Sequence, residues 1–501
     1  MKKYRLRMRK LGERSSKWKK VMGKVYRVST KHGRARMYFH SLICEAAGLK
    51  PSDTLYIYVD EEKEEIILQN HVADSADKTI TVSRKKCRTS GELRPIVDTS
   101  GDLYTGVLAI QQKIQVSVYK QGNKSRIIVR PLRFNYLEQD VITTKDVQYD
   151  QRIKLSTYGA GAGISTAAMI DTQYFTAVQE FEIEEDSASV LHFNFPNSCL
   201  ENADIRDVNE VLETDVALVT LKCNEHSHLG HHQGGVFDNV VLHVAQLIKS
   251  SGAKLILIEN VGQFYSSRHY QLFTSILQDQ FPYWKKESIE SYDYGSIARR
   301  NRTYACGFRC KEDYMNFQFP AAPASIRRKK LRDYLDPKGT VFEWKSLDSW
   351  KESFSSKAEK GNAWKDRNVD KTFVTPEVRE IYCIPKRYRS QSASNTYVLS
   401  ECKTKWRFLT VSEIRRILAV PEWFQFPPSI PNYRKNEMLG QSVDCNIIRA
   451  IGNELATVFY KAINRVTRTV KESVPGLIQD TIRSYEDILE FAPNGQLRLT
   501  F

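Results

Sequence analysis

Residues 154–169 read KLSTYGAGAGISTAAM: a short apolar run, a glycine-rich turn and a helix-compatible stretch. Small residues between a strand and a helix let a ligand approach the backbone closely, with helix amides available beyond the turn. Downstream, strand-like runs at 175–178, 216–221 and 255–258 alternate with a helical stretch at 240–249. This alternation predicts an α/β domain with a Rossmann-like, mostly parallel sheet.

Acidic residues follow the next two strands. Glu182 comes just after the run at 175–178, where a carboxylate can accept hydrogen bonds from ribose hydroxyls. Asp204 and Ile205 are expected to end the following strand, where Asp204 can meet an adenine amino group. The turn lacks the GxGxxG spacing expected for pyrophosphate, so a nucleoside-containing cofactor other than NAD is favoured.

Cys223 follows the apolar run at 215–221, at the strand end where ligands bind in open α/β sheets. A thiol there can also be a buried core residue. Lys222 and His226 favour a reactive thiol, because neighbouring cations lower its pKa. The next strand ends in Glu259, which predicts a carboxylate at the same edge of the sheet.

A pair of arginines, Arg300 and Arg302, precedes a further predicted strand at 303–308. Arginines at this edge can clamp a phosphate or a carbonyl. After a break, residues 407–413 read RFLTVSE and residues 439–443 read LGQSV.

The order of these motifs along the chain resembles that of the DNA cytosine-C5 methyltransferases. The motifs are the glycine turn, the acid, the strand-end Cys, Glu-Asn-Val and Arg-x-Arg. Residues 407–413 look like the family's R-x-L-T-x-x-E segment, and residues 439–443 look like its G-N-S/A-V segment. The resemblance covers about 155–310 and 405–460. The intervening residues fall where the family keeps its target-recognition domain.

The resemblance implies a class I methyltransferase fold and transfer of a methyl group from S-adenosylmethionine to C5 of a flipped-out cytosine. Cys223 would form the covalent adduct, although Lys222 stands where the family usually has proline. Glu259 would hold the base, and Arg300 and Arg302 would support the base or the neighbouring backbone. The cofactor residues implied are Tyr158, Gly159, Gly161, Gly163, Glu182, Asp204, Ile205, Ser442 and Val443.

The N-terminal region has a different character. The first 36 residues contain 15 Lys or Arg and one acid, Glu13, so residues 1–19 are predicted to be a basic arm. Residues 20–132 contain two β-rich repeats that resemble AbrB-like swapped-hairpin DNA-binding domains. A β-barrel adaptor without DNA contact is the alternative.

Four further segments complete the predicted layout. They are a linker at 133–152, the catalytic domain at 153–310, an inserted target-recognition domain at 311–404, and a C-terminal part at 405–501 that completes the catalytic domain. Trp344, Trp350 and Trp364 suit either DNA contact or a small core in the insert.

The net charge of +16 favours a polyanionic partner, a nucleic acid or an anionic membrane surface. No apolar run is long enough to span a bilayer, and no secretory signal is recognisable. Double-stranded DNA is the expected partner and the bacterial or phage cytoplasm, near the nucleoid, the expected location. A cognate restriction endonuclease is a further candidate partner, and the oligomeric state stays open.

Nine scattered cysteines without a CxxC pair indicate reduced thiols, and the histidines at 226, 228, 231 and 232 match no zinc spacing. No metal site is therefore expected. Two alternative functions stay open: an RNA (tRNA) cytosine-C5 methyltransferase, and a non-catalytic DNA-binding regulator. The large insert and the N-terminal repeats favour DNA, since reading a duplex needs such modules.

Overall fold

The computed structural model describes residues 18–73, 75–132, 142–144, 152–221, 236–337, 339–359, 372–390, 392, 395–473, 489–491 and 497–499. The largest sheet within these residues has 13 strands. One half of this sheet is antiparallel and comes from the N-terminal domain. The other half is mostly parallel and contains the glycine-rich turn.

The N-terminal domain contains two copies of one strand arrangement. The first copy comprises β1 (Lys19–Arg27), β2 (Ser29–Lys31), β3 (Arg34–Phe39), α1 (Ser41–Ala46), β4 (Thr54–Asp60) and β5 (Glu65–Gln69). The second comprises β6 (Lys78–Thr81), β7 (Ser83–Lys86), β8 (Leu93–Ser100), β9 (Lys113–Gln121) and β10 (Lys124–Pro131).

The two copies exchange strands. The first strand of each copy pairs with the other copy, β1 with β9 and β6 with β4, whereas β3–β8 and β5–β10 join equivalent strands. Each copy therefore completes the other. The resemblance to AbrB-like domains stays a prediction.

The parallel half follows in chain order. Its elements are β11 (Ile142–Thr144), β12 (Ile153–Tyr158), α2 (Ile164–Ile170), β13 (Phe175–Phe181), α3 (Glu185–Asn194), β14 (Cys199–Asn202), β15 (Glu210–Leu212), β16 (Val216–Val219), α4 (Val236–Ser251), β17 (Leu255–Asn260), α5 (Arg268–Leu277), β18 (Tyr283–Glu290), β19 (Asn301–Phe308) and α6 (Lys311–Asn316).

The spatial order of this half is β18-β19-β17-β16-β12-β13-β14. These seven strands run in the same direction except β19, which is antiparallel to both of its neighbours, β18 and β17. Strand β11, which lies in the segment expected to be a linker, pairs in parallel with β15. The predicted α/β, mostly parallel fold is confirmed.

Both faces of the parallel strands are covered by helices, as their nearly continuous apolar sequences require. Along β16, Val216 and Leu218 face a core that includes α2, whereas Ala217 and Val219 face a core that includes α4. The strand ends, rather than the faces, are therefore where polar groups can gather.

The remaining elements are β20 (Lys345–Ser346), α7 (Leu347–Glu359), β21 (Phe373–Val374), β22 (Tyr397–Leu399), β23 (Lys405–Arg407), α8 (Val411–Ile417), α9 (Asn432–Gly440), α10 (Cys445–Ser473), β24 (Leu489–Phe491) and β25 (Leu497–Leu499). Strands β20–β23 form a small sheet, so this sheet takes strands from both sides of the predicted boundary at 404. Trp350 is buried in its core, whereas Trp344 is partly exposed. Trp364 lies outside the described residues. Helix α10 packs against α2 beside the glycine-rich turn.

The segment at 407–413 owes its residue types to packing. Arg407 and Glu413 form a buried two-pronged ion pair, with both N–O distances 2.8 Å. Glu413 also accepts the N–H of Thr410, whose hydroxyl accepts the N–H of Glu413 in return, so the two residues cap α8. This arrangement is a capping box, which explains the spacing of Thr and Glu.

The two halves of the large sheet meet where β1 pairs in parallel with β14. Lys20 lies buried at this junction, 2.7 Å from a carboxylate oxygen of Glu201 and 2.7 Å from one of Glu210. Burial alone would lower the pKa of Lys20, but the two carboxylates outweigh it and raise the pKa well above its usual value. The ammonium therefore stays charged inside the protein.

Gly23 makes room for this cluster. It pairs with Glu201 across the two strands, and a Cβ at residue 23 would lie 1.9 Å from Oε2 of Glu201.

No helix of the described residues is long and apolar enough to cross a membrane.

We expect Gly23→Ala to destabilise the protein by about 3 kcal/mol, because the new methyl group displaces the Glu201 carboxylate from Lys20. Urea unfolding of the purified variant measures the change. Gly101→Ala is the control, since a Cβ there has only ordinary contacts, the nearest 3.6 Å away. Equal stability of the two variants would contradict the role given to Gly23.

Candidate active site and cofactor pocket

Glu182 and Glu259, with the glycine-rich turn, lie along one edge of the parallel sheet. Strands β12, β13, β14, β16 and β17 run in the same direction, so the turns after their carboxyl ends share an edge. Lys222, Cys223 and His226, together with the rest of 222–235, lie outside the described residues.

The glycine-rich turn after β12 is held by its neighbours. Gly159 and Ala160 both donate to the carbonyl of Phe181, and Gly159, Gly161 and Gly163 all have positive φ angles, which favour glycine. A Cβ on Gly161 would meet no atom within 4 Å, so the turn has an open side that a ligand can approach. This opening fits a nucleoside-containing cofactor.

Two residues of the turn serve the core instead. The ring of Tyr158 is fully buried and stacks on Phe181, with ring centroids 4.6 Å apart. A Cβ on Gly163 would lie 2.6 Å from Leu191 and 2.7 Å from Phe195. The Tyr158 side chain therefore packs away from the open side of the turn, and Gly163 permits α2 to pack against α3.

Glu182 follows β13 and faces the turn. Its Oε2 accepts the N–H of Gly161 at 2.7 Å and its Oε1 accepts the N–H of Glu184 at 2.7 Å. The carboxylate is thus fixed beside the open side of the turn, where the sequence predicts an acceptor for ribose hydroxyls.

Asp204 lies two residues beyond β14 rather than at its end. It caps the short 3₁₀ turn at Ile205–Asp207, and its carboxylate accepts the N–H and Nε of Arg206. The pKa of Asp204 is lowered mainly by these hydrogen bonds. Ile205, the next residue, is partly buried.

Glu259 and Arg302 meet at the end of β17. Oε1 of Glu259 lies 3.1 Å from Nε of Arg302, which is on the neighbouring strand β19. Burial raises the pKa of Glu259 above its usual value, although Arg302 and Arg300 oppose the rise. The site therefore combines a carboxyl group that accepts a proton readily with a fixed cation.

Arg300 is buried and points to backbone rather than to Glu259. Its guanidinium donates to the carbonyls of Ile384, Gly440 and Ser442. It thereby ties the start of β19 to Ile384, which lies within the insert at 311–404, and to the 439–443 segment. Within the described residues its Nε has no hydrogen-bond partner.

Ser442 and Val443 connect α9 to α10, at the end of α10 that lies beside the glycine-rich turn. The Ser442 hydroxyl donates to the carbonyl of Leu439 at 2.7 Å, and Val443 is buried. A Cβ on Gly440 would lie 2.1 Å from the carbonyl oxygen of Pro385, so this glycine permits a close backbone crossing.

Asp444 was not predicted from the sequence. Burial raises the pKa of this carboxyl to about 6, against hydrogen bonds from Ser296 and the N–H of Asn446. An acid directly after 439–443 was the available signal, but nothing local indicated that it is buried.

Among the described residues, no group of three His, Cys, Asp or Glu is placed to hold a metal ion.

Known proteins resemble this chain over the residues that form the parallel half of the sheet and the segments after it. Residues 157–457 match the family model described as C-5 cytosine-specific DNA methylase. The Type II methyltransferase M.Bsp6I of Bacillus sp. (strain RFL6) is 26% identical over 317 residues, which cover 60% of this chain and 98% of that protein.

Two similar solved structures are the S. pombe Dnmt2 methyltransferase (15% identity, TM-score 0.49) and the Entamoeba histolytica methyltransferase EhMeth (16%, TM-score 0.48). They cover 62% and 61% of this chain, and this chain covers 99% and 98% of theirs. From the family match, this chain belongs to the C-5 cytosine-specific DNA methylases, enzymes that take their methyl group from S-adenosylmethionine.

Proposed function

We propose that this protein methylates C5 of cytosine in double-stranded DNA through a covalent adduct with Cys223. The observation that carries the proposal is the contact between Glu259 and Arg302 at the carboxyl end of β17. The open glycine-rich turn lies along the same edge, at the end of β12. A base that leaves the duplex can be held by Glu259 and Arg302 while the methyl donor lies against the open side of the glycine-rich turn.

The chemistry follows from the residues. The Cys223 thiolate adds to C6 of cytosine, which makes C5 nucleophilic enough to take the electrophilic methyl group that S-adenosylmethionine supplies. Loss of the C5 proton and expulsion of the thiolate then restore the ring.

Glu259 assists the addition. In its neutral form, the carboxyl group can donate to N3 and accept from the exocyclic amine. Donation to N3 stabilises the charge that develops as the thiolate adds. The raised pKa of Glu259 favours this neutral form.

The two arginines have different roles. Arg302 holds Glu259 in place and can reach the base. Arg300 is a positioning residue, because its two terminal nitrogens donate to the carbonyls of Ile384, Gly440 and Ser442.

We assign the cofactor to Gly159, Gly161, Glu182, Asp204 and Ile205, with 442–443 closing the pocket. Glu182 would accept from the ribose hydroxyls. Asp204 would accept from the adenine amine, for which it must share its carboxylate with Arg206.

DNA is favoured over RNA by the family description and by the Type II methyltransferase relative. The insert contacts the chain next to Arg302: Ile381 pairs with Ala298, and the carbonyl of Ile384 accepts from Arg300. A partner restriction endonuclease stays a prediction.

The N-terminal domain adds a basic surface that suits duplex DNA. Strand β7 is exposed along its length and carries Arg84, Lys85 and Lys86. Tyr38 lies within 6.0 Å of the Lys85 ammonium and 4.9 Å of the Arg36 guanidinium. Exposed cations beside an aromatic ring can contact phosphates without reading sequence.

The substrate and the nucleophile can be tested together. Wild-type protein should transfer labelled methyl groups from S-adenosylmethionine to duplex DNA and should be trapped on a duplex that contains 5-fluorocytosine. Cys223→Ser should lose both, because the hydroxyl adds to C6 far more weakly. Transfer to tRNA but not to DNA would overturn the choice of substrate.

Cys402→Ser is the matched control for Cys223. Hydrogen bonds from Ser400 and Thr404 lower the pKa of Cys402 to about 7, so its exposed thiol is readily ionised. Transfer and trapping should be unchanged in this variant. If Cys402→Ser removed trapping and Cys223→Ser did not, the nucleophile would have been assigned wrongly.

Glu259→Gln should lower the rate of methyl transfer by about 100-fold or more, since an amide cannot give a proton to N3. In the wild type, the neutral form of Glu259 is lost as the pH rises through its raised pKa, so the rate should fall there. Single-turnover rates across pH measure both effects. A pH profile that keeps this descending limb in Glu259→Gln would assign the titration to another group.

Replacement of Arg84, Lys85 and Lys86 by Ala should weaken DNA binding. It should also flatten the slope of log K against log salt by about one unit for each phosphate that these side chains no longer neutralise. Replacement of the exposed Lys50, Lys63 and Lys124 removes the same charge elsewhere on the domain. Equal effects in the two triple variants would indicate a general charge effect rather than a binding surface.

A further inference from the structure

The N-terminal domain contacts both loops to which we assign the nucleoside of the cofactor. Lys24 on β1 lies 3.3 Å from a carboxylate oxygen of Glu185, just after the loop that carries Glu182. Lys113 on β9 donates to both carboxylate oxygens of Asp207, at 2.8 and 3.2 Å, in the turn that follows Asp204.

The strand directions explain why these lysines reach the loops. Because β1 is parallel to β14, the carboxyl end of β1 lies at the same edge of the sheet as the cofactor loops. Lys113 pairs with Arg27 at that end of β1. It therefore stands beside the turn at Ile205–Asp207.

The contact of Lys113 is the more consequential of the two. The Asp207 side chain is only 6% exposed, whereas that of Glu185 is 48% exposed. A carboxylate with little access to water depends on its cation, while an exposed one can be hydrated. Loss of the lysine would leave Asp207 charged and largely buried.

The turn at Ile205–Asp207 is held from two sides. Lys113 holds its end through Asp207, and His243 of α4 bonds to the carbonyl of Val208 at 2.7 Å. The N–H of Asp207 donates to the carbonyl of Asp204. A shift of Asp207 would therefore move Asp204, the residue assigned to the adenine.

We propose that Lys113 of the N-terminal domain is a positioning residue for S-adenosylmethionine, so that this domain forms part of the cofactor pocket. The proposal rests on the placement of the cofactor given above. Lys113 acts through Asp207 on Asp204 and Ile205, and takes no part in methyl transfer.

The test measures cofactor binding by calorimetry in the absence of nucleic acid. Lys113→Met should raise the Kd for S-adenosylmethionine about tenfold, because the turn loses its fixed position. The rate of transfer at saturating cofactor should change less than twofold. Lys113→Arg should bind as the wild type does, since it keeps the ion pair.

A second variant covers the case in which Lys113→Met folds poorly. Lys113→Met/Asp207→Asn removes the buried charge together with its partner and should recover part of the affinity. The control is Lys124→Met, which replaces an exposed lysine at the start of β10, opposite Gln121 at the far end of β9; it should have no effect.

An unchanged Kd in a folded Lys113→Met protein would overturn the proposal. So would equal reductions of affinity in Lys113→Met and Lys113→Arg. Failure of the proposed function would give a different result. The wild-type protein would bind S-adenosylmethionine and the Lys113→Met variant would bind it more weakly, yet the wild-type protein would transfer no methyl group to DNA.

Discussion

The buried ammonium of Lys20 joins the two halves of the molecule, because it lies on β1 of one half and contacts carboxylates of β14 and β15 in the other. Parallel pairing of β1 with β14 removes what would otherwise be an open sheet edge. Lys20 compensates two carboxylates there, Glu201 of β14 and Glu210 of β15. Without Lys20, the buried carboxylate of Glu201 would lie beside Glu210 with no cation between them, and breaking a buried ion pair in this way costs about 3–5 kcal/mol in proteins. The junction is therefore specific for β1. A strand without Lys20 would leave the two carboxylates uncompensated, and a strand without Gly23 would clash with Glu201.

The sequence was sufficient for the parallel half because that half is regular. Apolar runs separated by a helix predict parallel strands, and the ends of such strands share an edge, so the chain order alone places Glu259 and Glu182 at that edge. The junction could not be predicted, because it joins residues far apart in the chain. Nothing near Lys20 indicates that Glu201 and Glu210 will surround it. Glycine is needed at residue 23 of β1 because of the Glu201 side chain, which lies on the neighbouring strand β14.

Several residues that resemble family motifs are explained by packing. Glu413 caps α8 with Thr410 and forms a buried ion pair with Arg407. Gly163 leaves room for Leu191 and Phe195, and Tyr158 stacks on Phe181. A motif read from sequence does not separate such residues from those that touch a substrate. Burial separates them: the open side of the turn is at Gly161, and the polar groups near it are Glu182 and the turn that begins at Asp204.

Arg300 shows how packing and chemistry meet in one pair of residues. Burial lowers the pKa of Arg300, and Arg302 lowers it further, so its charge needs compensation. Three carbonyl oxygens supply it: that of Ile384 within the insert, and those of Gly440 and Ser442 at and just beyond the end of α9. The same strand presents Arg302 to Glu259, two residues further along. Strand β19 thus fixes the C-terminal segments with one arginine and the reacting edge with the next. In the proposed enzyme, the pocket closed by 442–443 and the group that holds the base are set by a single rigid strand.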